Sequence, residues 1–472
     1  MPELLLTSSQ SKLINELSHF SLAGKNLLII TGSAGTGKTF LLTQIIKRMT
    51  KSYRVCSPTG RSAQILREKG VKDAVTIHSM LYSYDRSTEV DDSDNIITYF
   101  KMKGNNDPED TFYFIDEASM ISNEYSSNDS LRFGSGYLLK DLLEFIDINV
   151  SNNRKIVFIG DNAQLPPVNS NFSPALSIEY LSLLQPQFFV SNFQLNEIVR
   201  QVGESGIVLN ANSIRDQIVE KSFDFMKLEF NHPEFIDLPP EEIIYQFVNH
   251  FTEDPQNVVM LAHMNSSIKL YNDAIRERLG LPQHLSENDR IIVVRNNMMY
   301  GVFNGQMGEI KYVSENVEKR RVTLKRSAPV VLKFRNVAIE FTNETGKPFQ
   351  IEALVLENLI YSGNPQLNTN EYSALWRDFR NRYRDLTNKP KELAELAVND
   401  PYLNALQIKF GYAITVHKSQ GGEWKNVFFD FKSNINHKTE NYFRICYTAI
   451  TRARENLYAI SAPSQNDFEM LT

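Results

Sequence analysis

The sequence predicts an α/β protein organised on parallel sheets, and three short apolar runs carry that prediction. Leu27-Leu28-Ile29-Ile30 runs straight into Gly32-Ser33-Ala34-Gly35-Thr36-Gly37-Lys38-Thr39, and Phe40-Leu41-Leu42 then opens a helical pattern. Phe112-Tyr113-Phe114-Ile115 ends in two acids, Asp116 and Glu117, and Ile156-Val157-Phe158-Ile159 ends in Gly160-Asp161. Short continuous apolar runs bounded by turn formers are what strands covered on both faces look like.

Composition bounds the rest. At roughly 150 residues per domain, 472 residues suggest about three domains. A chain of this length buries enough surface to need neither disulfide nor metal for its core. With 42% hydrophobic and 22% charged residues, extended disorder is excluded. The net charge of −6 excludes nucleic-acid binding by bulk basicity, so any such contact must come from a local groove. Two cysteines, Cys56 and Cys446, exclude a disulfide scaffold and a cysteine-rich zinc module, and suit a reducing, intracellular compartment. No run approaches the roughly 20 apolar residues that span a bilayer. Met1 to Lys12 has no basic segment ahead of its apolar Leu4 to Leu6, which argues against a signal peptide. The most polar stretches are Asp91 to Asp110 and Asn388 to Asp400.

Chemistry starts at the glycine-rich segment. Its spacing between strand and helix is that of a phosphate-binding P-loop. Glycines let backbone N–H groups turn inward around phosphates, and the helix N-terminus adds positive potential. Lys38 can reach the β and γ phosphates, and the Thr39 hydroxyl can sit on Mg²⁺. Downstream, a carboxylate at a strand end can hold that ion and its neighbour can orient the attacking water. This assigns Asp116 to the metal and Glu117 to the water, and favours hydrolysis over bare nucleotide binding.

Further segments select the class. Gly160-Asp161-Asn162-Ala163-Gln164-Leu165-Pro166-Pro167-Val168 is followed by Leu195-Asn196-Glu197-Ile198-Val199-Arg200-Gln201. Near the C-terminus stand Thr415-Val416-His417-Lys418-Ser419-Gln420-Gly421-Gly422-Glu423 and Tyr447-Thr448-Ala449-Ile450-Thr451-Arg452-Ala453-Arg454. At these residues the sequence resembles superfamily 1 DNA helicases of the RecD/Dda-like branch. Leu6-Thr7-Ser8-Ser9-Gln10 looks like that family's Q motif, Ser57 to Ala63 and Thr76 to Ser79 look like its motifs Ia and Ib, and Phe303 to Gly308 resembles the turn that opens its SH3-like insertion. The likeness spans nearly the whole chain.

The resemblance implies two RecA-like P-loop domains with parallel sheets, a small β pin and an SH3-like β-containing insertion. The first RecA-like domain would cover 1–195, with the pin at about 82–110. The second would cover 196–300 and 408–472, and the insertion 301–407 with a helical segment. It also implies ATP-driven movement along single-stranded DNA in the 5′-to-3′ sense with duplex unwinding, with ATP and Mg²⁺ as cofactors. Expected partners are single-stranded DNA and single-strand/duplex junctions, together with single-strand-binding or recombination proteins. A monomer in the cytoplasm of a bacterial or phage-infected cell, without membrane contact, completes the expectation.

Residue roles follow from the matched positions. Gly32, Ser33, Ala34, Gly35, Thr36, Gly37, Lys38 and Thr39 hold the phosphates. Gln10 is expected at the adenine edge, where an amide can donate and accept, and Glu423 at the ribose. Gln164 would sense the γ-phosphate. Arg200 and Arg452 are the candidate arginine fingers, each with a domain-interface ion pair as its alternative. For the DNA backbone the resemblance points to Pro58, Thr59 and His78 on the first domain, and to Asn265, Thr415, His417 and Lys418 on the second.

Three segments stay open between two readings. Tyr99 and Phe100, in an alternating run within the pin segment, either stack on a base or pack the hairpin onto its domain. Between Lys311 and Arg335 stand eight basic residues against two acids, a DNA-tracking face or a solubilised strand edge. Trp376, Phe379 and Tyr383 fall at helical spacing and read as the buried face of a helix rather than a base-stacking site, and the resemblance implies that this helix docks on the pin. The stretch Ser122 to Asn153 exceeds what the core fold needs. Its Leu138 to Ile146 reads as a helix, preceded by a polar loop without an assigned role.

Two other functions use the same motor: an RNA or RNA–DNA remodelling ATPase, and the motor subunit of a larger recombination or nuclease complex. A guanine-nucleotide switch is disfavoured, because Asn388-Lys389-Pro390-Lys391 lacks the acid that reads guanine.

Overall fold

The computed structural model describes the chain except residues 1–5, 23–25, 91–95, 127–130, 148–152, 196–204, 298, 325–327, 344–346, 387–388 and 464–472. It is an α/β protein with two parallel sheets, a three-stranded pin and an antiparallel insertion.

In the first lobe the strands are β1 (Leu27–Gly32), β2 (Tyr53–Ser57), β3 (Val75–Thr76), β4 (Tyr82–Val90), β5 (Ile96–Met102), β6 (Phe112–Ile115), β7 (Leu131–Phe133), β8 (Lys155–Gly160) and β9 (Val190–Leu195). Six of them form a parallel sheet in the order β3-β2-β6-β8-β1-β9. The three apolar runs are its centre: every residue of β6 and β8 is buried, and β1 is buried but for Thr31. Since β1, β6 and β8 are parallel neighbours or next-neighbours, their C-terminal ends bring the P-loop, the two acids and the 161–165 loop to one sheet edge, as open α/β sheets do with ligand sites.

The remaining three strands form the pin sheet, in the order β4-β5-β7. Here the segment 122–153 gains a structural account. Its β7 pairs parallel with β5, placing Phe133 opposite Phe100. Its helix Leu138–Ile146 packs into the lobe's core, and carries buried Asp141, which accepts from the Tyr82 hydroxyl at 2.7 Å and from Ser135 N at 3.0 Å. The extra segment therefore anchors the pin.

The second lobe has β10 (Phe235–Asp237), β11 (Val258–Ala262), β12 (Arg290–Val293), β13 (Met307–Val322), β14 (Val330–Thr342), β15 (Pro348–Leu356), β16 (Ile408–Phe410), β17 (Ala413–Thr415), β18 (Trp424–Asp430) and β19 (Ala453–Ile460). Its parallel sheet runs β10-β19-β18-β11-β17. The insertion is an antiparallel sheet in the order β15-β14-β13-β12-β16, so two of its strands lie outside 301–407. Its two edges approach each other: Leu406 N donates to Leu354 O at 2.7 Å and Leu356 N to Leu406 O at 3.1 Å.

The junction between insertion and lobe is tight. Only Gly411 and Tyr412 separate β16 from β17, and a Cβ on Gly411 would stand 2.9 Å from the Ile291 backbone. Beside it, Arg276 bonds both oxygens of Asp289 (2.7 and 2.9 Å), donates to the carbonyls of Pro282, Gln283 and His284, and stacks on Phe410 at 3.9 Å.

Two helices complete the insertion. Thr369–Arg382 buries Trp376 and Phe379 as its spacing predicts, and Asn368 caps it. The polar stretch after Asn388 forms the helix Pro390–Asn399, started by proline at its first turn, where no N–H is missed. This second helix, rather than Thr369–Arg382, lies against β4 of the pin. No helix among the described residues is long and apolar enough to cross a membrane.

Candidate nucleotide cleft and strand path

The P-loop closes on itself as its sequence requires. Gly35 and Gly37 take left-handed backbone angles (φ 82° and 72°) that side-chain-bearing residues avoid. A Cβ on Gly32 would meet Thr36 Oγ1 at 2.6 Å. Lys38 Nζ donates to the carbonyls of Gly32 (2.8 Å) and Ser33 (3.0 Å), and Thr39 is half-buried at the head of the helix Lys38–Arg48. Gln10 is fully buried against this loop. Its Nε2 donates to Thr36 O at 3.2 Å and its Oε1 accepts from Thr7 N at 3.1 Å, so both ends of the amide already serve the chain.

Beyond β6, burial first and then the neighbouring Glu117 push the Asp116 carboxyl up to about 7, against the pull of Lys38. A carboxylate held in so unfavourable a place suits a cation beside it, and with the Thr39 hydroxyl it offers the hard oxygen donors that Mg²⁺ prefers. Glu117 takes a left-handed backbone (φ 53°) that turns it off the strand end. Gln164 is buried with Oε1 unpartnered among the described residues.

The second lobe reaches this edge through one face of the helix Glu440–Ile450, capped by Thr439. Arg444 donates to the carbonyls of Asn162 and, at 2.9 Å, Gln164. The Tyr447 hydroxyl accepts from Ala34 N (3.1 Å) and donates to Asp161 Oδ2 (2.6 Å). Thr448 Oγ1 accepts from Leu165 N at 2.9 Å, and Gln420 Nε2 donates to Leu165 O at 2.9 Å. Arg61 stacks on Trp424 of the other lobe at 4.3 Å, and Lys69 stands 3.7 Å from Glu423.

Arg452 is buried on the same helix end, but its guanidinium turns to its own lobe: Nε to Thr448 O, and its terminal nitrogens to Gly422 O and Thr451 Oγ1, at 3.0 to 3.2 Å. Arg200 lies outside the described residues. The sequence reading missed Arg444 and Tyr447. Their spacing with Thr448, i, i+3 and i+4, marks one polar stripe on an otherwise apolar helix, which was the available signal.

Along the expected strand path, Thr59 and Thr415 cap short helices, accepting from Ser62 N (3.1 Å) and Lys418 N (3.4 Å). The Thr59 hydroxyl is also engaged with Ser62 Oγ at 2.6 Å, whereas the Thr415 hydroxyl proton remains to donate. Pro58 is half-buried and Asn265 exposed at a helix start. His78 packs against Tyr82 and Phe133, and burial lowers its pKa to about 4, so its ring is neutral. Burial and nearby His263 also lower His417. Lys418 is pushed down to about 8 by burial and by Lys409, which burial and Lys269 bring to about 8 as well. Lys409, not singled out from sequence, thus joins this cluster. It donates to the Ser362 and Asn364 carbonyls.

The two aromatics of the pin separate. Phe100 is 3% exposed and stacked on Phe133 at 4.6 Å, so base stacking by Phe100 is corrected to core packing. Tyr99, on the opposite face, is half-buried. In the basic run, Lys311 pairs with Glu309 and Glu340, Arg320 with Glu318 and Asp378, and Arg335 with Glu357. Lys319, Arg321 and Lys333 are exposed, with Lys319 directly across the ladder from Lys333.

Residues 17–133 match the AAA domain, and residues 410–460 match the UvrD-like helicase C-terminal domain. An uncharacterized protein of Methanocaldococcus jannaschii is 24% identical across 93% of this chain, which spans 37% of that protein's length. The RecBCD enzyme subunit RecD of Buchnera aphidicola (subsp. Schizaphis graminum) is 24% identical across 92% of this chain and 70% of its own length. The ATP-dependent RecD2 DNA helicase of Deinococcus radiodurans is 21% identical across 97% of this chain and 49% of its own. With the P-loop, the strand-end acids and the interlobe helix in place, the chain is similar over most of its length to the RecD subunit and to the RecD2 DNA helicase.

Proposed function

We propose that the chain hydrolyses ATP to move 5′ to 3′ along single-stranded DNA and to open the duplex ahead. The observation that carries this reading is the placement of the P-loop at an edge that the second lobe's helix touches directly, through Tyr447 and Arg444. Filling or emptying such a cleft changes how two lobes sit, and lobes that each hold a strand then pass it along.

In this reading the Lys38 ammonium leaves its two carbonyls for the β and γ phosphates. Thr39 and Asp116 would hold Mg²⁺, which would neutralise phosphate charge. Glu117 orients and deprotonates the attacking water. The unpartnered Gln164 Oε1 is free to accept from that water, while its amide group can donate to the γ-phosphate. Arg452 acts as a finger only by giving up three bonds inside its own lobe, and Arg200 is the other candidate. Gln10 supports the loop through Thr36, with one amide hydrogen left for a base.

Phosphates of the strand fall to the helix starts at Thr59 and Thr415, to Asn265 and to the Lys418 cluster, none of which reads sequence. The pin, braced from both sides, splits the duplex. The chain acts as a monomer on single-stranded DNA and at junctions. Strand displacement on partial duplexes carrying either a 5′ or a 3′ single-stranded tail tests the proposal. Displacement of the 5′-tailed substrate alone, dependent on ATP and Mg²⁺, is expected; preference for the 3′ tail refutes the polarity. Since the RecD relative is a subunit of a larger enzyme, nucleotide hydrolysis without displacement by the purified chain would favour a partner-dependent motor.

A further inference from the structure

One hydroxyl ties three segments together. Tyr447 comes from the second lobe, Ala34 is the third residue of the P-loop, and Asp161 directly follows β8. The ring is fully buried. Burial, and then Asp161, raise the phenol's pKa well above its ordinary value, so it stays protonated and keeps its donor on Asp161. The other Asp161 oxygen accepts from Ala163 N at 3.0 Å, which fixes the carboxylate. A phenylalanine would fill the same core volume. The hydroxyl is needed only for these two bonds.

The backbone N–H groups of a P-loop serve phosphate oxygens. In this structure the Ala34 N–H donates to a phenol oxygen, a neutral acceptor weaker than a charged phosphoryl oxygen. We propose that Tyr447 is a positioning residue whose hydroxyl competes with a nucleotide phosphate for the Ala34 N–H, so that filling the loop unlatches the helix Glu440–Ile450 from the first lobe. This rests on the reading that the loop takes a nucleoside triphosphate. Unlatching Tyr447 loosens its helical neighbours Arg444 and Thr448 on the 162–165 backbone, and that loop carries Gln164. Phosphate arrival would in this way reach the second lobe through a hydroxyl that leaves, as well as through groups that converge.

The test is titration of the full chain, with Mg²⁺, by the non-hydrolysable analogue adenylyl imidodiphosphate. Removing the competitor in Tyr447→Phe should tighten binding by about three- to tenfold, the worth of one net hydrogen bond. A residue with a merely structural role would weaken binding when changed. Equal or weaker affinity in a folded Tyr447→Phe overturns the proposal. Absence of binding by the wild-type chain would instead overturn the nucleotide reading, which keeps the two failures apart. Amide exchange on the wild-type chain supplies a second measurement that needs no variant. Residues 440–450 should exchange faster with the analogue than without, and unchanged or slower exchange overturns the proposal.

Discussion

Phe133→Ala tests whether the extra segment braces the pin. The Phe133 ring stacks on Phe100 (4.6 Å, 16°), meets His78 edge-on (5.2 Å, 84°) and tilts against Tyr82 (5.3 Å). Each aromatic pair contributes about 0.5–1.5 kcal/mol beyond its area. A fully buried Phe→Ala change costs about 3–5 kcal/mol. Phe133 is only half-buried, which puts the loss at about 2–3 kcal/mol. Because the pin is a three-stranded sheet outside the main sheet, the loss falls on local docking rather than on the whole fold. At 1.4 kcal/mol per factor of ten, the undocked pin gains roughly thirty- to hundredfold in population. Paired assays on one preparation read the outcome. ATP hydrolysis stimulated by single-stranded DNA should stay within about twofold of wild type, while strand displacement falls by about tenfold or more. Unchanged displacement, with amide exchange showing a loosened pin, would refute the pin's role in splitting the duplex. A parallel fall in hydrolysis would show that Phe133 supports the motor core instead.

Other perturbations separate further parts of the molecule. Arg276→Ala leaves Asp289 charged and fully buried with its main partner gone, so unfolding in urea should show a loss of about 3–5 kcal/mol. Single-strand affinity, measured by oligothymidylate anisotropy, should depend on pH through Lys418. Protonated below about 8, the amine holds a phosphate; above it the charge is lost, so affinity should be full at pH 7 and fall by up to about tenfold by pH 9. Lys418→Arg should flatten that profile, and a flat wild-type profile would remove Lys418 from the strand path. Arg452→Ala should bind ATP nearly as wild type yet turn it over at least about a hundredfold more slowly if it swings into the cleft. An equally large loss of folding stability would fit the three bonds it makes at home.

Local physics made much of this legible. The P-loop, the strand-end acids and the existence of the first sheet's three central strands follow from short apolar runs and their breakers, because a strand covered on both faces leaves few other sequences possible. Faces were harder. Alternation in Ile96 to Met102 shows that Tyr99 and Phe100 point opposite ways, but which side is core depends on β7, which arrives from thirty residues downstream. Tyr447 lies on a polar stripe with Arg444 and Thr448, but only the approach of Ala34 and Asp161 gives its hydroxyl a task. Docking of Pro390–Asn399 on the pin was equally hidden, since its polar composition marked no helix and its partner lies some three hundred residues away. The charge excess of the insertion overstated its field, because Lys311, Arg320 and Arg335 are paired with acids on their own strand and on neighbouring strands and helices.

The two-residue splice between β16 and β17 has a mechanical consequence. The hairpin of β13 and β14 projects from this root, and β13 alone, at 16 residues, is roughly 50 Å long. Gly411 admits no side chain against Ile291, and β17 leads at once into Thr415, His417 and Lys418. A duplex or protein leaning on the outer end of that boom would therefore apply torque at its base, without a slack joint to absorb it, and the corner proposed to hold the strand would feel the load.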